Sequence, residues 1–344
     1  MRKKFQNTGS SVRQQILFEN APTLELSVII VSWNAKDHLL KCLNSLAHTP
    51  GVTSMEVIVV DNDSSDGSPE AVKRNFPSVR LIRAGSNLGF AKANNIGLRV
   101  SKGRYLGLVN SDVEVIDDCL VRLVEHMDKN TQLGMTGPLV YGGDGKIQRS
   151  CRGFPGVWNM FCRSLALDHL FPSCQWFNGY QLLNWSQDTE RFVDIITGCF
   201  WLARRAAVEQ VGGLDEEFFM YGEDMDWCFR FWSAGWKVAF VPVARAIHYG
   251  GASSSNAPVR FYIEKQRADL QYWKKHHSQL AVICYFLLCC LHLALRACGY
   301  FLVFLFKMRK RQVYRHKMRR SFACLKWLLS GAEPVPTMPC NSKL

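Results

Sequence analysis

The sequence predicts an α/β fold built on a mostly parallel sheet with flanking helices, and three features carry that expectation. Apolar, β-branched runs of strand length recur. They alternate with stretches whose leucines fall at helical spacing, and polar turn residues stand at the carboxyl end of the runs. Strands and helices in that alternation, joined by right-handed crossovers, make a parallel sheet.

The elements follow in order. "LSVIIVSW" from Leu26 reads as a strand covered on both faces. "NAKDHLLKCLNSLAH" reads as a helix through Leu39, Leu40, Leu43 and Leu46. "MEVIVVDN" is a second buried strand, and its turn "DNDSSDGSPE" opens a helix around Glu70 to Asn75. "VRLIRAG" is a short third strand, "NLGFAKANNIGLRVSKG" a glycine-containing loop and helix, and "RYLGLVN" a fourth strand. Between Gly142 and Asp188 the pattern loosens into an aromatic-rich stretch that includes Trp158, Phe161, Phe171, Trp176 and Trp185. It reads either as a satellite hydrophobic cluster under long loops or as a lid over an acceptor. From Phe192 order returns as strand, helix, a Gly212-Gly213 turn, helix and strand.

With 344 residues, 48% of them hydrophobic, the chain can bury one large core and carry an appendage. The net charge of +13 is concentrated towards the C-terminus, in "KMRKRQVYRHKMRR" from Lys307 to Arg320. That run follows an apolar stretch, which favours anionic membrane lipid over nucleic acid; no recognisable nucleic-acid reading module accompanies it. The 13 cysteines form no CxxC pair and no zinc spacing, so they read as small buried hydrophobes in a reducing compartment. Residues 1–24 start positively charged without an apolar run behind, which predicts a flexible arm and no secretory signal.

In open α/β sheets the ligand site lies beyond the carboxyl ends of the strands. Asn34, Asp61 and Asp112 each follow an apolar run and should converge on one rim. Polar residues at strand ends are often turn formers. Three in such places point to a site.

The stretch "MYGEDMDWCFR" sets Glu223, Asp224 and Asp226 beside bulky apolar residues. Acids in a first helical turn gain about 0.3–1 kcal/mol each from the helix dipole, and Asp226 pairs with Arg230 at i, i+4. Neither effect accounts for an apolar face of Met225, Cys228, Phe229 and Trp232 with Glu223 and Asp224 at its entrance. A carboxylate at the edge of a dry wall has a raised pKa and is a better proton acceptor near neutral pH.

Taken together, "VIIVSWN", "VVDNDSSDGS", "NLGFAKANNIG", "LVNSD", "TGCFWLARRAA", "GGLDEEFFMYGEDMDWCFR" and "HYGG" stand in the order found in family-2 glycosyltransferases. The sequence from Leu26 to Ser255 resembles that family, and within it the bacterial rhamnosyltransferase-type branch. The resemblance implies a GT-A, Rossmann-like fold, a dTDP- or UDP-linked sugar donor, a divalent Mg²⁺ or Mn²⁺ and inversion at the anomeric carbon. It implies Asp224 as the catalytic base, with Glu223 orienting acceptor or base and Asp226 structural. In "NSD", Asp112 is the implied metal ligand; the first position is Asn110, not Asp, as is usual in this branch, which leaves one fewer charge on the ion, and Ser111 lies between them. His248 is the second implied ligand. Asp61 would accept the N3–H of a uracil or thymine ring, with Ser32, Trp33 and Asn34 lining the same pocket. Asn87 and Asn94 match positions near nucleotide or sugar, and Gly198 would let the backbone approach the donor.

"LAVICYFLLCCLHLALRACGYFLVFLF", Leu280 to Phe306, exceeds the roughly 20 residues that span a bilayer, but His292 and Arg296 interrupt it. A span would also put the basic tail on the side away from the nucleotide sugar, against the positive-inside tendency. A re-entrant or interfacial helix with both flanks cytoplasmic is expected. The expected organisation is an arm at 1–24, a catalytic domain at 25–275 with a nucleotide half to about 140 and an acceptor half beyond, and a membrane-associated segment at 276–344. The expected activity is sugar transfer to a polyprenyl-diphosphate-linked or other lipid-linked glycan, at the cytoplasmic face of a bacterial inner membrane, in envelope polysaccharide synthesis. Two alternatives fit less well. A nucleotidyltransferase would need a Gly-rich, basic loop after the first strand, which "VSWNAKDH" does not offer. An inactive membrane-attached partner would be expected to have lost Asp112 or Asp224.

Overall fold

The computed structural model describes residues 16, 18–19, 21–52, 54–250, 258–306 and 311–331. Its strands, numbered in chain order, are β1 (Leu24–Ser32), β2 (Met55–Asp61), β3 (Arg80–Arg83), β4 (Gly103–Asn110), β5 (Val113–Ile116), β6 (Leu133–Gly142), β7 (Cys151–Arg152), β8 (Arg191–Phe192), β9 (Ile195–Ile196), β10 (Phe200–Arg204) and β11 (Lys237–His248). Its helices are α1 (Lys36–Ala47), α2 (Ser68–Asn75), α3 (Phe90–Val100), α4 (Cys119–Lys129), α5 (Val157–Ser164), α6 (Leu167–Leu170), α7 (Arg205–Val211), α8 (Glu223–Ser233), α9 (Pro258–His276), α10 (Gln279–Phe306) and α11 (Arg311–Leu329).

The chain forms two compact units. The first comprises residues 1–154 and 178–253, the second 155–177 and 254–344. These divisions differ from the expected boundary at 275/276. The aromatic stretch around α5 and α6 groups with the C-terminal helices, and α9 belongs there too.

The first unit is built on a nine-stranded sheet with the path β3-β2-β1-β4-β10-β6-β11-β5, from which β8 branches onto β11. β3, β2, β1 and β4 run parallel. β10 enters antiparallel to β4, and β6 and β11 are again parallel to each other. The sheet is therefore mixed, with its parallel half formed by the four strands read first from the sequence. α1 lays Leu39, Cys42, Leu43 and Leu46, and α4 lays Leu120, Leu123, Val124 and Met127, into the main apolar cluster, α4 resting chiefly on β11 and β6. Leu26 to Ile30 of β1 are buried without a break, which is why that strand reads as a continuous apolar run.

One buried hydroxyl holds three elements at the opposite end from the site. Ser27 donates to Glu56 of β2 at 2.6 Å and accepts from the Gly103 N–H of β4 at 2.7 Å and from Lys102 N at 3.1 Å. A Cβ at Gly103 would sit 2.3 Å from the Ser27 nitrogen, so only glycine permits that approach.

The expected arm at 1–24 lies mostly outside the described residues, and its described part is docked on the domain. Ile16 is buried, Glu19 N–H donates to Arg99 O at 2.8 Å, and the Arg205 guanidinium lies 4.0 Å from the Phe18 ring centroid. Apolar side chains there had a place to bury, which overrode the polar surroundings. Among the described residues every cysteine is a free thiol, most of them buried.

Candidate active site

Parallel register assembles the rim. Ser32 pairs with Asp61 and Asp61 with Arg83, while Val31 of β1 pairs with Asn110 of β4. Several polar groups there are buried with no hydrogen-bond partner: Ser32 Oγ, Asp61 Oδ1, Asn110 Oδ1 and, at the start of α1, His38 Nδ1. An unmade buried hydrogen bond costs roughly 1–3 kcal/mol. Strand ends that leave several unmade are built to be completed by something that binds.

Asp61 uses its other oxygen to accept from Ser64 N–H at 3.2 Å. Burial raises its carboxyl above the ordinary value of 3.8, against the lowering effects of Ser64 and Arg83. Asn62, which the sequence reading passed over, is 3% exposed and holds the next loop. It accepts from Leu88 N–H at 2.9 Å and donates to Asn87 Oδ1 at 3.0 Å and Gly89 O at 3.1 Å. Three expected binding asparagines are thus occupied in shaping loops. Asn34, at φ 50°, accepts from Ser65 N–H at 2.8 Å. Asn87 also takes Gly89 N–H at 3.1 Å, and Asn94 donates back to Phe90 O at 3.0 Å. Trp33 is half-buried beside them, and Lys92 is exposed.

Beyond Asn110 the chain turns through Ser111 and Asp112 into β5, which pairs antiparallel with the end of β11 so that His248 stands opposite Val113. That pairing sets His248 Nε2 3.3 Å from Asp112 Oδ1. Burial acts to raise the Asp112 carboxyl, but the hydrogen bond and charge of His248 outweigh it and hold the pKa below the ordinary value. Gln148 Oε1 lies 2.7 Å from His248 Nδ1, a contact with no sequence signal because 100 residues separate the two. The Gln148 contact occupies Nδ1 and leaves Nε2 as the ring nitrogen that faces Asp112. The donor set, one carboxylate and one imidazole, suits a divalent ion whose remaining positions are filled by phosphate and water. Among the described residues no group of three or more His, Cys, Asp or Glu side chains could hold a metal.

The acidic helix approaches this rim through tight contacts. Gly89, at φ 82°, is pressed so closely on Phe219 that a Cβ would come within 2.4 Å of its carbonyl oxygen, and Phe90 N–H donates to that carbonyl at 2.7 Å. Tyr221 and Gly222 then both take positive φ, which turns the chain abruptly into α8 and puts Glu223 and Asp224 at its first positions. Glu223 is the more buried of the two; Asp224 is half-buried, with one carboxylate oxygen accepting from Met225 N–H at 2.8 Å. Gly198 bridges the halves. Its neighbour Cys199 accepts from Asn110 N–H at 3.0 Å, and a Cβ on Gly198 would lie 3.7 Å from Glu223 Oε1.

Asp226 has a different task. It is fully buried and bonds Arg230 at 2.8 Å, while that guanidinium donates to Val211 O at 2.7 Å and Gly213 O at 2.6 Å. The pair ties α8 to the Gly212-Gly213 turn, as the i, i+4 spacing suggested.

The family model of glycosyl transferase family 2 matches residues 27–212, more than half of the chain. The chain belongs to glycosyl transferase family 2. Among curated relatives, the transferase is 29% identical over 265 residues to the N-acetylglucosaminyl-diphospho-decaprenol L-rhamnosyltransferase of Mycobacterium tuberculosis, covering 74% of this chain and 85% of that protein. It is 27% identical over 231 residues to rhamnosyltransferase WbbL of Escherichia coli K12, covering 64% and 82%. Its fold is similar to that of the mannosyltransferase PcManGT from Pyrobaculum calidifontis, solved with GDP-Man and Mn²⁺, at TM-score 0.55 and 17% identity over 92% of this chain and 90% of that one. The fold of this glycosyltransferase is accordingly GT-A, a mixed α/β sheet whose parallel half carries the rim.

Two outcomes follow. Asp226→Ala leaves the partly buried Arg230 with its carbonyl partners but without a carboxylate, and should cost roughly 1–3 kcal/mol of stability in urea unfolding; Asp224→Ala should cost under about 1 kcal/mol. For Asp61 the sign is set by a folded-state pKa above the unfolded one: ionisation is disfavoured in the fold, so stability is lost as pH rises through that interval. The stability of Asp61→Asn relative to the native chain should therefore rise with pH across the acid range and then level off, as urea midpoints would show.

Proposed function

We propose that this family-2 enzyme is an inverting transferase that moves a sugar from a dTDP- or UDP-linked donor to a hydroxyl of a lipid-linked glycan. Rhamnose is the sugar favoured by the names of the two rhamnosyltransferase relatives, and a polyprenyl-diphosphate carrier by that of the mycobacterial one. Its place would be the cytoplasmic face of a bacterial inner membrane, in envelope polysaccharide synthesis. The observation that carries the reading is the junction at Gly198, where the Asn110–Asp112 turn and the start of α8 come together beside a row of unpartnered strand-end groups.

The roles follow from the chemistry each group can perform. Asp61 Oδ1, buried and lacking a donor, takes the N3–H of a pyrimidine ring, and Ser32 Oγ lies one strand away on the same row. Asn34 and Asn87 act on the donor by fixing the loops around it, and Asn94 by holding the first turn of α3. Asp112 and His248 would hold a Mn²⁺ or Mg²⁺, which when bound neutralises charge on the departing diphosphate. Gly198 keeps the backbone next to the sugar free of a Cβ. Asp224 accepts the acceptor hydroxyl proton as that oxygen attacks the anomeric carbon opposite the phosphate; the carbon–oxygen bond forms, and the bonding pair of the broken sugar–phosphate bond leaves with the diphosphate. Glu223, buried beside Gly198, orients the acceptor or the base. One base suffices, because a charge-neutralised diphosphate needs no proton to leave.

With dTDP-rhamnose and UDP-sugars screened as donors, Asp224→Asn should reduce transfer by at least about 10²-fold, the low end of general-base catalysis, while nucleotide still binds. If Asp224→Asn transfers at the native rate, the base assignment is wrong. Gln148→Leu should weaken Mn²⁺ binding, read by titration in the presence of nucleotide, by about 10–100-fold, as loss of a histidine's outer partner does elsewhere. Native affinity in that variant would show that Gln148 does not set the His248 tautomer.

A further inference from the structure

We propose that the second unit is a monotopic platform: α10 lies along the headgroup region of one leaflet of an anionic bilayer, its leucine row in the acyl zone, and does not cross the membrane.

By length and composition α10 is able to span a bilayer. Its surface is strongly two-sided. Leu280, Ile283, Leu287, Leu291, Leu295 and Leu302 are all exposed. At 3.6 residues per turn they occupy less than about 140° of the circumference. Tyr285, Cys289, Leu293 and Ala297 form the buried side, against the rest of the unit. Trp273 of α9 stacks on Tyr285 with ring centroids 4.7 Å apart, and Ser164 of α5 donates to Leu288 O at 3.3 Å. His292 and Arg296, the two residues that break the apolar run, are half-buried and fall beside and within that covered side respectively. The outward row is purely apolar.

What decides between spanning and lying flat is α11. Only residues 307–310 separate it from α10, and it packs back on it, with Tyr300 and Tyr314 ring centroids 6.2 Å apart and Lys317 Nζ 5.7 Å from the Tyr300 ring. Ser321, Cys324 and Leu328 are buried along the same helix, and Arg320 lies over Tyr262 of α9 at 4.3 Å. α11 carries Arg311, Arg315, Lys317, Arg319, Arg320 and Lys326 and no carboxylate. Were α10 to span, this helix would be drawn into the hydrocarbon beside it, where each such charge is costly. At the headgroup level the same charges meet lipid phosphates. Its outer face suits that depth, since Arg315, Arg319 and Lys326 are exposed alongside Phe322 and Leu329. The same unit also exposes Trp158 and Trp176, a residue type that gathers at membrane–water interfaces.

The proposal is independent of the sugar chemistry, and its test reads topology and lipid binding. The full chain, expressed in a bacterium, is treated with trypsin in spheroplasts and in inverted membrane vesicles, using the basic run Lys307–Arg320 as the reporter. Purified protein is floated with phosphatidylglycerol-containing and with pure phosphatidylcholine vesicles. The expected results are cleavage in inverted vesicles alone and flotation at least about tenfold stronger on the anionic lipid, weakening with salt. Leu287→Glu and Leu291→Glu, both on the outward row, should reduce flotation while helical circular dichroism is unchanged. Cleavage of the run in intact spheroplasts would overturn the proposal in favour of a span. Failure to float on either lipid, with a stable oligomer in its place, would overturn it in favour of a second copy covering the row.

Discussion

Strand register is the constraint on which the candidate site depends. Parallel pairing of β1 with its two neighbours sets Ser32 opposite Asp61 and leaves Asn110 one position away. A slip of one residue would turn each of these side chains to the opposite face of the sheet. The pin against such a slip stands at the far end, where the Ser27 hydroxyl joins Glu56 and Gly103 in one buried knot. The chemistry at the carboxyl rim is therefore placed by a hydrogen bond at the amino ends of the strands.

The rim itself is electrostatically unfinished. Asp61 and Asn110 each hold a buried oxygen without a donor, and Asp112 and His248 stand side by side within reach of one cation. An acceptor-rich rim of this kind selects ligands that bring donors and positive charge, as the proposed pyrimidine nucleotide and divalent ion would. α8 adds its carboxylates from the other side, with the helix dipole offsetting part of their mutual repulsion.

Much of this was legible in the sequence because it is local. Strands buried on both faces write themselves as β-branched runs, and the residues "DN" and "NSD" stand where those runs stop. The i, i+4 spacing of Asp226 and Arg230 gave their partnership outright. What escaped was set by distance along the chain. Gln148 reaches His248 only because β6 and β11 lie side by side, and a glutamine in a loop carries no mark of that. The aromatic stretch around α5 could not be assigned to the C-terminal helices from composition, since its partners, such as Leu288, lie 124 residues from Ser164. Nor could helical spacing tell that Glu223 would be more deeply buried than Asp224; that ordering comes from the left-handed step at Tyr221 and Gly222.

The hook between Gly89 and Phe219 has a consequence for descent as well as for shape. A hydrogen-bonded path runs from Asn62 through Asn87 and Gly89 to the carbonyl just ahead of the acidic helix. The Asn87–Gly89 loop and the turn that leads into α8 thus form one mechanical piece, although more than a hundred residues separate them. A bulkier residue at Gly89 would push α8 off its mark unless the Phe219 turn moved with it. The two stretches are bound to drift together, as a lock and its strike plate are cut as a pair.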